Sequence, residues 1–209
     1  MKKRILFLFD CLLLVSLTAC GGETATPEAT PTEEESATSE AAETTSSDEA
    51  DSLVVYFSAT GNTEAVARLL AETQGADLQE IVPAEPYTED DLNYNDDLSR
   101  ANSEQNDANS RPAIAGSMEN VEQYDIVYVG FPIWWGNMPK ILYTFFDTYD
   151  LTGKTIVPFC TSGSSGIEEA VRVIADMEPD ATITEGLRTD TSQMATDVPA
   201  WLESIGLAQ

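Results

Sequence analysis

Residues 58–63 read SATGNT, a segment of hydroxyl side chains, one glycine and one asparagine that leads directly into a predicted helix. Free N–H groups and the helix dipole favour an anion at a helix N-terminus. No Lys follows the glycine, so the segment is not a Walker A loop. Its N–H and O–H donors, without a cation, suit a phosphate monoester. The alternative is a helix start that is capped by its own Ser, Thr or Asn side chain.

A second segment is PIWWG, residues 132–136, in which two tryptophans stand side by side. Large exposed aromatic side chains cost solubility unless they contact a partner. We expect one of Trp134 and Trp135 to stack on or edge a flat ligand. The other should anchor the loop in the core or against the helix that comes next in the chain. The alternative is that both pack into the core or into a subunit interface.

A third segment, TSGSSG at residues 161–166, consists of small side chains. Small residues let another group approach the backbone closely, although the same composition is typical of a flexible turn between a strand and a helix. The preceding residue, Cys160, ends the apolar run TIVPFC, which predicts a buried and inert thiol. The sequence has no His and no recognisable nucleophile–base pair or metal cluster, so we predict neither a catalytic side chain nor a metal site.

The elements that must position these segments alternate between strand and helix. Apolar, non-alternating strands separated by helices indicate a parallel sheet that is covered on both faces. Because crossovers are right-handed, the sheet is doubly wound, and such sheets bind ligands beyond the carboxyl ends of their strands. The predicted strands are residues 53–58, 77–83, 124–131, 154–161 and 181–189. The predicted helices are residues 63–75, 139–150, 166–177 and 195–207.

The N-terminal residues predict export. The basic triplet Lys2, Lys3 and Arg4 precedes an apolar run of about 13 residues, which is shorter than the roughly 20 that span a bilayer and fits a secretory signal. The sequence LTAC at residues 17–20 resembles the lipobox of bacterial lipoproteins. That resemblance implies a lipoprotein signal peptide at residues 1–19 and a lipid on Cys20 that anchors the chain at the outer (or periplasmic) face of the bacterial cytoplasmic membrane. A plain signal peptide or a short membrane anchor is the alternative.

The segment after the predicted signal is set apart by its composition and charge. Residues 20–51 contain almost no large apolar side chain, so after the lipidated Cys we predict a disordered acidic linker leading to a domain at residues 52–209. The chain of 209 residues has 37 acidic and 10 basic residues, a net charge of −27. We therefore predict no nucleic-acid partner, because phosphate neutralisation needs clustered Lys and Arg. Residues 84–120 predict a long acidic loop with one helical pattern near residues 91–107.

In this order, SATGNT, PIWWG and TSGSSG, each after a strand, resemble the flavodoxin-like family over residues 53–207. The resemblance implies an α/β fold with a doubly wound, five-stranded parallel sheet in the order 2-1-3-4-5, and FMN as cofactor. It implies phosphate ligands at Ser58, Ala59, Thr60, Gly61, Asn62 and Thr63. It implies one wall of the flavin ring at Pro132, Ile133, Trp134, Trp135 and Gly136. It implies the other wall, with N–H groups for the ring's carbonyl edge, at Thr161, Ser162, Gly163, Ser164, Ser165 and Gly166.

The resemblance leaves three functions open. We favour an FMN-dependent oxidoreductase that acts on a quinone-like or other flat electron acceptor at the membrane surface. The reason is that the third loop lacks the aromatic residue that covers the outer flavin face in many electron carriers. That face stays open unless Tyr94 of the long loop covers it. The alternatives are a membrane-tethered electron carrier that serves a redox partner protein, and a non-redox binding module that has lost the flavin.

Overall fold

The computed structural model describes residues 51–209. The predicted signal peptide, the lipidation site at Cys20 and the predicted linker up to residue 50 lie outside these residues. Within them, no helix is long and apolar enough to cross a membrane.

A parallel sheet forms the centre of the domain. Its main path has the order β2-β1-β3-β4-β5, and a short β6 pairs with the carboxyl end of β4. All the strand pairings are parallel, which confirms the predicted 2-1-3-4-5 sheet. The strands in residues 51–209 are β1 (Ser52–Tyr56), β2 (Asp77–Glu80), β3 (Ile126–Pro132), β4 (Thr155–Thr161), β5 (Thr182–Ile183) and β6 (Leu187–Thr189).

Helices cover both faces of the sheet. Because side chains alternate along a strand, Val54 and Tyr56 of β1 join a core with α1 and α5, whereas Leu53 and Val55 join a core with α2, α3 and α4. A short 3-10 helix spans Val121–Gln123. The α-helices of the described residues are α1 (Asn62–Gln74), α2 (Arg100–Asn106), α3 (Lys140–Thr148), α4 (Glu168–Met177) and α5 (Met194–Ser204).

The fifth predicted strand, residues 181–189, is present but divided. Residues 184–186 leave the ladder between β5 and β6. A Cβ on Gly186 would lie 2.9 Å from Ile167 Cδ1 and 3.0 Å from Val171 Cγ2, so the chain passes close to the start of α4. The Glu185 carbonyl accepts a hydrogen bond from Trp201 Nε1 at 3.0 Å. Contacts with α4 and α5 thus replace sheet pairing at this point.

The long acidic loop, residues 84–120, is an ordered excursion with its ends tied together. Pro83 and Ile114 form an antiparallel bridge, and Ala115 N–H donates to the Val82 carbonyl at 2.7 Å. The helical pattern near residues 91–107 is confirmed as α2, which is shorter than that range. Ser99 caps α2, since its hydroxyl accepts a hydrogen bond from Asn102 N–H at 3.4 Å. The excursion is therefore joined at its two ends and contains its own capped helix.

Candidate functional site

The three loops singled out in the sequence meet at the carboxyl edge of the sheet around a cavity of about 670 Å³. A cavity of this size lies within the usual range for small-molecule sites. Each loop contributes three lining residues, which are Ala59, Thr60 and Asn62, then Pro132, Ile133 and Trp134, then Thr161, Ser162 and Gly163. The expected ligand residues that do not line the cavity are Ser58, Gly61, Thr63, Trp135, Gly136, Ser164, Ser165 and Gly166.

The start of α1 has no side-chain cap. Gly61 occupies the N-cap position with a left-handed backbone, φ 82°, and no side chain accepts a hydrogen bond from the first turn. The Ser58 hydroxyl instead accepts a bond from Gly61 N–H at 3.1 Å. The first N–H groups of a helix have no partner within the helix. Those of Asn62 and Thr63 are therefore available to an anion, and the self-capped alternative is wrong.

Thr63 has a different role from the one expected of its hydroxyl. Its side chain is buried, with 1% exposure, and its Oγ1 lies 2.8 Å from Oγ1 of Thr161, which is also buried. This hydrogen bond joins the start of α1 to the end of β4. The hydroxyl of Thr63 thus holds the first and third loops together, and only its backbone N–H remains a candidate ligand.

The tryptophan loop is a two-residue turn. Trp134 and Asn137 exchange N–H···O hydrogen bonds at 2.8 and 3.0 Å. The residues between them both have positive φ, 49° at Trp135 and 77° at Gly136, as a type I′ turn requires. A left-handed backbone is unusual for a bulky residue and costs about 1 kcal/mol or more. The turn sends the two tryptophan side chains in different directions.

Trp134 is the anchor of this loop, with 2% exposure. Its ring packs edge-on against Phe57 and Tyr87, with centroid distances of 5.6 and 5.2 Å. Trp135 is 44% exposed, so the alternative that both rings enter the core is wrong. The Trp135 ring instead contacts Tyr94 of the excursion, with a centroid distance of 4.8 Å.

The excursion holds the tryptophan loop through contacts that the sequence did not predict. Gln105 of α2 donates from Nε2 to the carbonyls of Trp134 and Met138, at 2.9 and 3.3 Å. Tyr87 donates to the Glu104 carboxylate at 2.5 Å. Burial and this bond raise the pKa of the Tyr87 hydroxyl far above its ordinary value, so the hydroxyl stays protonated as a donor. These residues fix one wall of the cavity.

Four further lining residues were missed from the sequence. They are Glu89, Leu92, Asp190 and Thr191. The first two lie in the excursion, where no strand end marks a ligand position, but Asp190 and Thr191 follow β6 and could have been found from their position after a parallel strand. The hydroxyl and N–H of Ser192 donate to the Asp190 carboxylate and hold its pKa below the usual value. Asp190 is therefore ionised at neutral pH.

Cys160 is fully buried at the end of β4. Burial raises the pKa of its thiol to about 12, so the thiol is protonated and inert at neutral pH, as predicted. Within residues 51–209, no group of three or more His, Cys, Asp or Glu side chains is placed to hold a metal ion. The polar side chains that line the cavity are mainly hydroxyls, with the amide of Asn62 and the carboxylates of Glu89 and Asp190.

A 2-1-3-4-5 parallel sheet with a cavity at its carboxyl edge defines a doubly wound α/β domain whose ligand site lies where the strand order reverses. The family profile described as Flavodoxin matches residues 51–205. The chain therefore belongs to the flavodoxin family, as its three loops had indicated.

Solved structures agree with this assignment. A Bacteroides eggerthii protein with a provisional flavoprotein assignment is 44% identical, with a TM-score of 0.68, over 75% of this chain and 98% of that chain. A Bacteroides uniformis protein with the same assignment is 40% identical, with a TM-score of 0.70, over 74% of this chain and 98% of that chain. A Lactobacillus acidophilus flavoprotein in complex with FMN is 20% identical, with a TM-score of 0.50, over 71% and 98%, and shares the fold. Comparison with curated proteins found no match.

Proposed function

We propose that this chain binds FMN and works as a redox protein. The observation that carries the proposal is the uncapped, cation-free start of α1, which opens onto the cavity between the three loops. Free N–H groups at that point fit a phosphate monoester. The small third loop and the tryptophan loop leave a slot for a flat ring. Membership of the flavodoxin family and the FMN complex of the Lactobacillus relative support the same ligand.

The residues divide the work of binding. The N–H groups of Asn62 and Thr63, with the Thr60 hydroxyl, hold the phosphate. The second loop forms one wall of the ring site, and Ser162 and Gly163 form the other. Bound FMN supplies the capacity to take up and release electrons. The chain itself binds and orients the cofactor, which is how a protein without His performs redox chemistry.

We further propose a flat, quinone-like acceptor for this site. The aromatic side chains that line the cavity are Tyr94 and Trp134, and Tyr94 packs on the tryptophan loop. The third loop offers only small residues, which leaves that side accessible to a planar molecule. In the net reaction a nicotinamide donor loses a hydride, and the quinone gains two electrons and two protons, one of them from solvent.

Titration with FMN tests the binding proposal. Quenching of FMN fluorescence at a 1:1 ratio, with release of the flavin on acid precipitation, is the expected result. Riboflavin is the matched control, because it lacks the phosphate and should bind more weakly. Failure to quench FMN at any concentration tested would contradict the proposal and favour a binding module without flavin.

An assay of NAD(P)H oxidation distinguishes an oxidoreductase from an electron carrier. The loaded protein should oxidise NAD(P)H when a soluble quinone is present and should return the quinol. The net charge of −27 favours a basic redox partner protein, so an electron carrier is the second candidate. Absence of NAD(P)H oxidation, together with electron exchange with a basic protein, would decide for the carrier.

We also propose that a lipid on Cys20 tethers the domain to the membrane. The lipobox-like LTAC and the acidic linker after it support this location. Growth with a labelled fatty acid should label the wild-type chain and leave the Cys20→Ser variant unlabelled. Equal labelling of both would contradict it.

A further inference from the structure

Arg188 lies directly behind the third loop. It is the central residue of β6, where it pairs with Cys160 of β4. Its Nη2 donates a hydrogen bond to the Ser162 carbonyl at 2.8 Å. Ser162, which accepts this bond, and Asp190, two residues after Arg188, both line the cavity. The guanidinium is thus coupled to the wall of the site without belonging to the loops found in the sequence.

Arg188 differs from the other arginines of the described residues. Within residues 51–209 it forms no salt bridge, and its Nε is buried without a hydrogen-bond partner. The Asp190 carboxylate interacts with this charge electrostatically without forming a salt bridge, and the hydrogen bond from Nη2 goes to the Ser162 carbonyl. The arginines that do pair with a carboxylate are Arg68, Arg100, Arg111 and Arg172.

The peptide between Ser162 and Gly163 connects this charge to the cavity. In a trans peptide the C=O and the N–H point in opposite directions, so Gly163 N–H points away from Arg188. Gly163 lines the cavity, and its N–H has no acceptor among residues 51–209. A charged donor on the C=O polarises the whole peptide unit and strengthens the N–H as a donor.

We propose that Arg188 is a positioning residue that makes the site bind reduced FMN more tightly than it otherwise would. It acts through the Ser162–Gly163 peptide, whose N–H would be available to the carbonyl edge of the bound ring. The inference rests on the proposed FMN function. Adding two electrons and one proton to oxidised FMN leaves a negative ring, which the ionised Asp190 and the acidic chain oppose. Arg188 is the cation placed to offset that repulsion.

The test compares dissociation constants for oxidised FMN and dithionite-reduced FMN in the full chain. Arg188→Met should weaken binding of reduced FMN about tenfold more than binding of oxidised FMN, since a hydrogen bond from a charged group is lost. For a two-electron couple this corresponds to a midpoint potential lower by about 30 mV. Arg172→Met is the matched control, because it removes the same charge from an exposed position on α4. It should change both constants less than about twofold.

The binding constants of the variants either support or overturn the role proposed for Arg188. Equal weakening for both oxidation states, or no change, would show that Arg188 only supports the loop and would overturn the proposal. Arg188→Lys keeps the charge, so it should retain most of the preference for reduced FMN. If the Met variant does not fold, the Lys variant is used in its place in the binding comparison. Loss of the preference in the Lys variant as large as in a folded Met variant would also overturn it. Wild-type protein that bound neither form would overturn the proposed function itself.

Discussion

The hydroxyl oxygens of Thr63 and Thr161 lie 2.8 Å apart, and both side chains are buried. Thr63 belongs to the first turn of α1 and Thr161 is the last residue of β4. The contact therefore joins two loops that are 98 residues apart in the sequence. It links the first and third loops, both of which line the cavity.

A double-mutant cycle should measure this coupling. Thr63→Val and Thr161→Val should each lower the free energy of unfolding by about 1–2 kcal/mol, because each leaves the other hydroxyl buried without its partner. The double variant should lose less than the sum, with an interaction energy of about 1 kcal/mol. Urea unfolding provides the measurement. Additive losses would mean that the hydrogen bond contributes nothing.

The two tryptophans should respond differently to truncation. Trp134→Ala removes a buried ring that packs against Phe57 and Tyr87, so it should cost about 3–5 kcal/mol of unfolding free energy. Trp135→Ala removes an exposed ring from a strained turn and should cost less than about 1 kcal/mol. In FMN titrations, however, Trp135→Ala should weaken binding, because the Trp135 ring packs on Tyr94, which lines the cavity. Unchanged FMN affinity in both variants would show that the tryptophan loop does not contribute to FMN binding.

Much of the fold could be predicted because it follows from pattern and position. Apolar strands that alternate with helices required a parallel doubly wound sheet, and three unusual loops after strands required a site at its carboxyl edge. The division between Trp134 and Trp135 could not be predicted, since the two residues are chemically identical. It depends on the left-handed turn at Trp135 and Gly136 and on Tyr87, which comes from a segment without periodicity.

The missed site residues differ in how far the sequence could reveal them. Asp190 and Thr191 directly follow the predicted fifth strand, so their position after a parallel strand was sufficient to place them at the site. The role of Arg188 depends instead on its hydrogen bond to the Ser162 carbonyl, 26 residues away in the sequence. Side chains that act through long-range contacts cannot be recognised from the local sequence. An example is Gln105, whose Nε2 donates a hydrogen bond to the Trp134 carbonyl.

Cys160 should make stability depend on alkaline pH. Its thiol pKa is raised from 9.0 to about 12 by burial. Below about pH 9 the thiol is protonated in both the folded and the unfolded chain, so it does not affect how the free energy of unfolding changes with pH. Between about pH 9 and 12 only the unfolded chain loses the proton, and stability should fall by up to about 1.4 kcal/mol per pH unit. The Cys160→Ala variant should lack this component of the slope.

Thiol labelling gives an independent measurement. In a Cys11→Ser, Cys20→Ser background, Cys160 is the only thiol of the chain. A chromogenic disulfide should not react with it at pH 8 in the folded protein and should react at once in urea. Rapid labelling of the folded protein would contradict the buried, protonated thiol.

The Tyr87 hydroxyl should stabilise the excursion. Tyr87→Phe keeps the ring contacts with Phe57 and Trp134 but removes the donor to Glu104. A hydrogen bond to a charged group contributes about 1.5–3 kcal/mol, so a loss of that size is expected in urea unfolding. Tyr143→Phe on α3 is the control, because that hydroxyl has no hydrogen bond among residues 51–209. Equal losses in the two variants would contradict the assigned role of Tyr87.

Salt should accelerate FMN binding. The chain carries a net charge of −27, and a phosphate monoester carries about −1.5 to −2 at pH 7. Raising the ionic strength from about 0.01 M to 0.15 M shortens the Debye length from about 30 Å to 8 Å. Because SATGNT contains no cation, this screening removes repulsion without weakening any ion pair to the phosphate. Stopped-flow association rates should therefore rise several-fold with salt for FMN and stay nearly constant for riboflavin, which has no phosphate. A rate that falls with salt would show that a cation recruits the phosphate, and would contradict a site built from the N–H groups of Asn62 and Thr63.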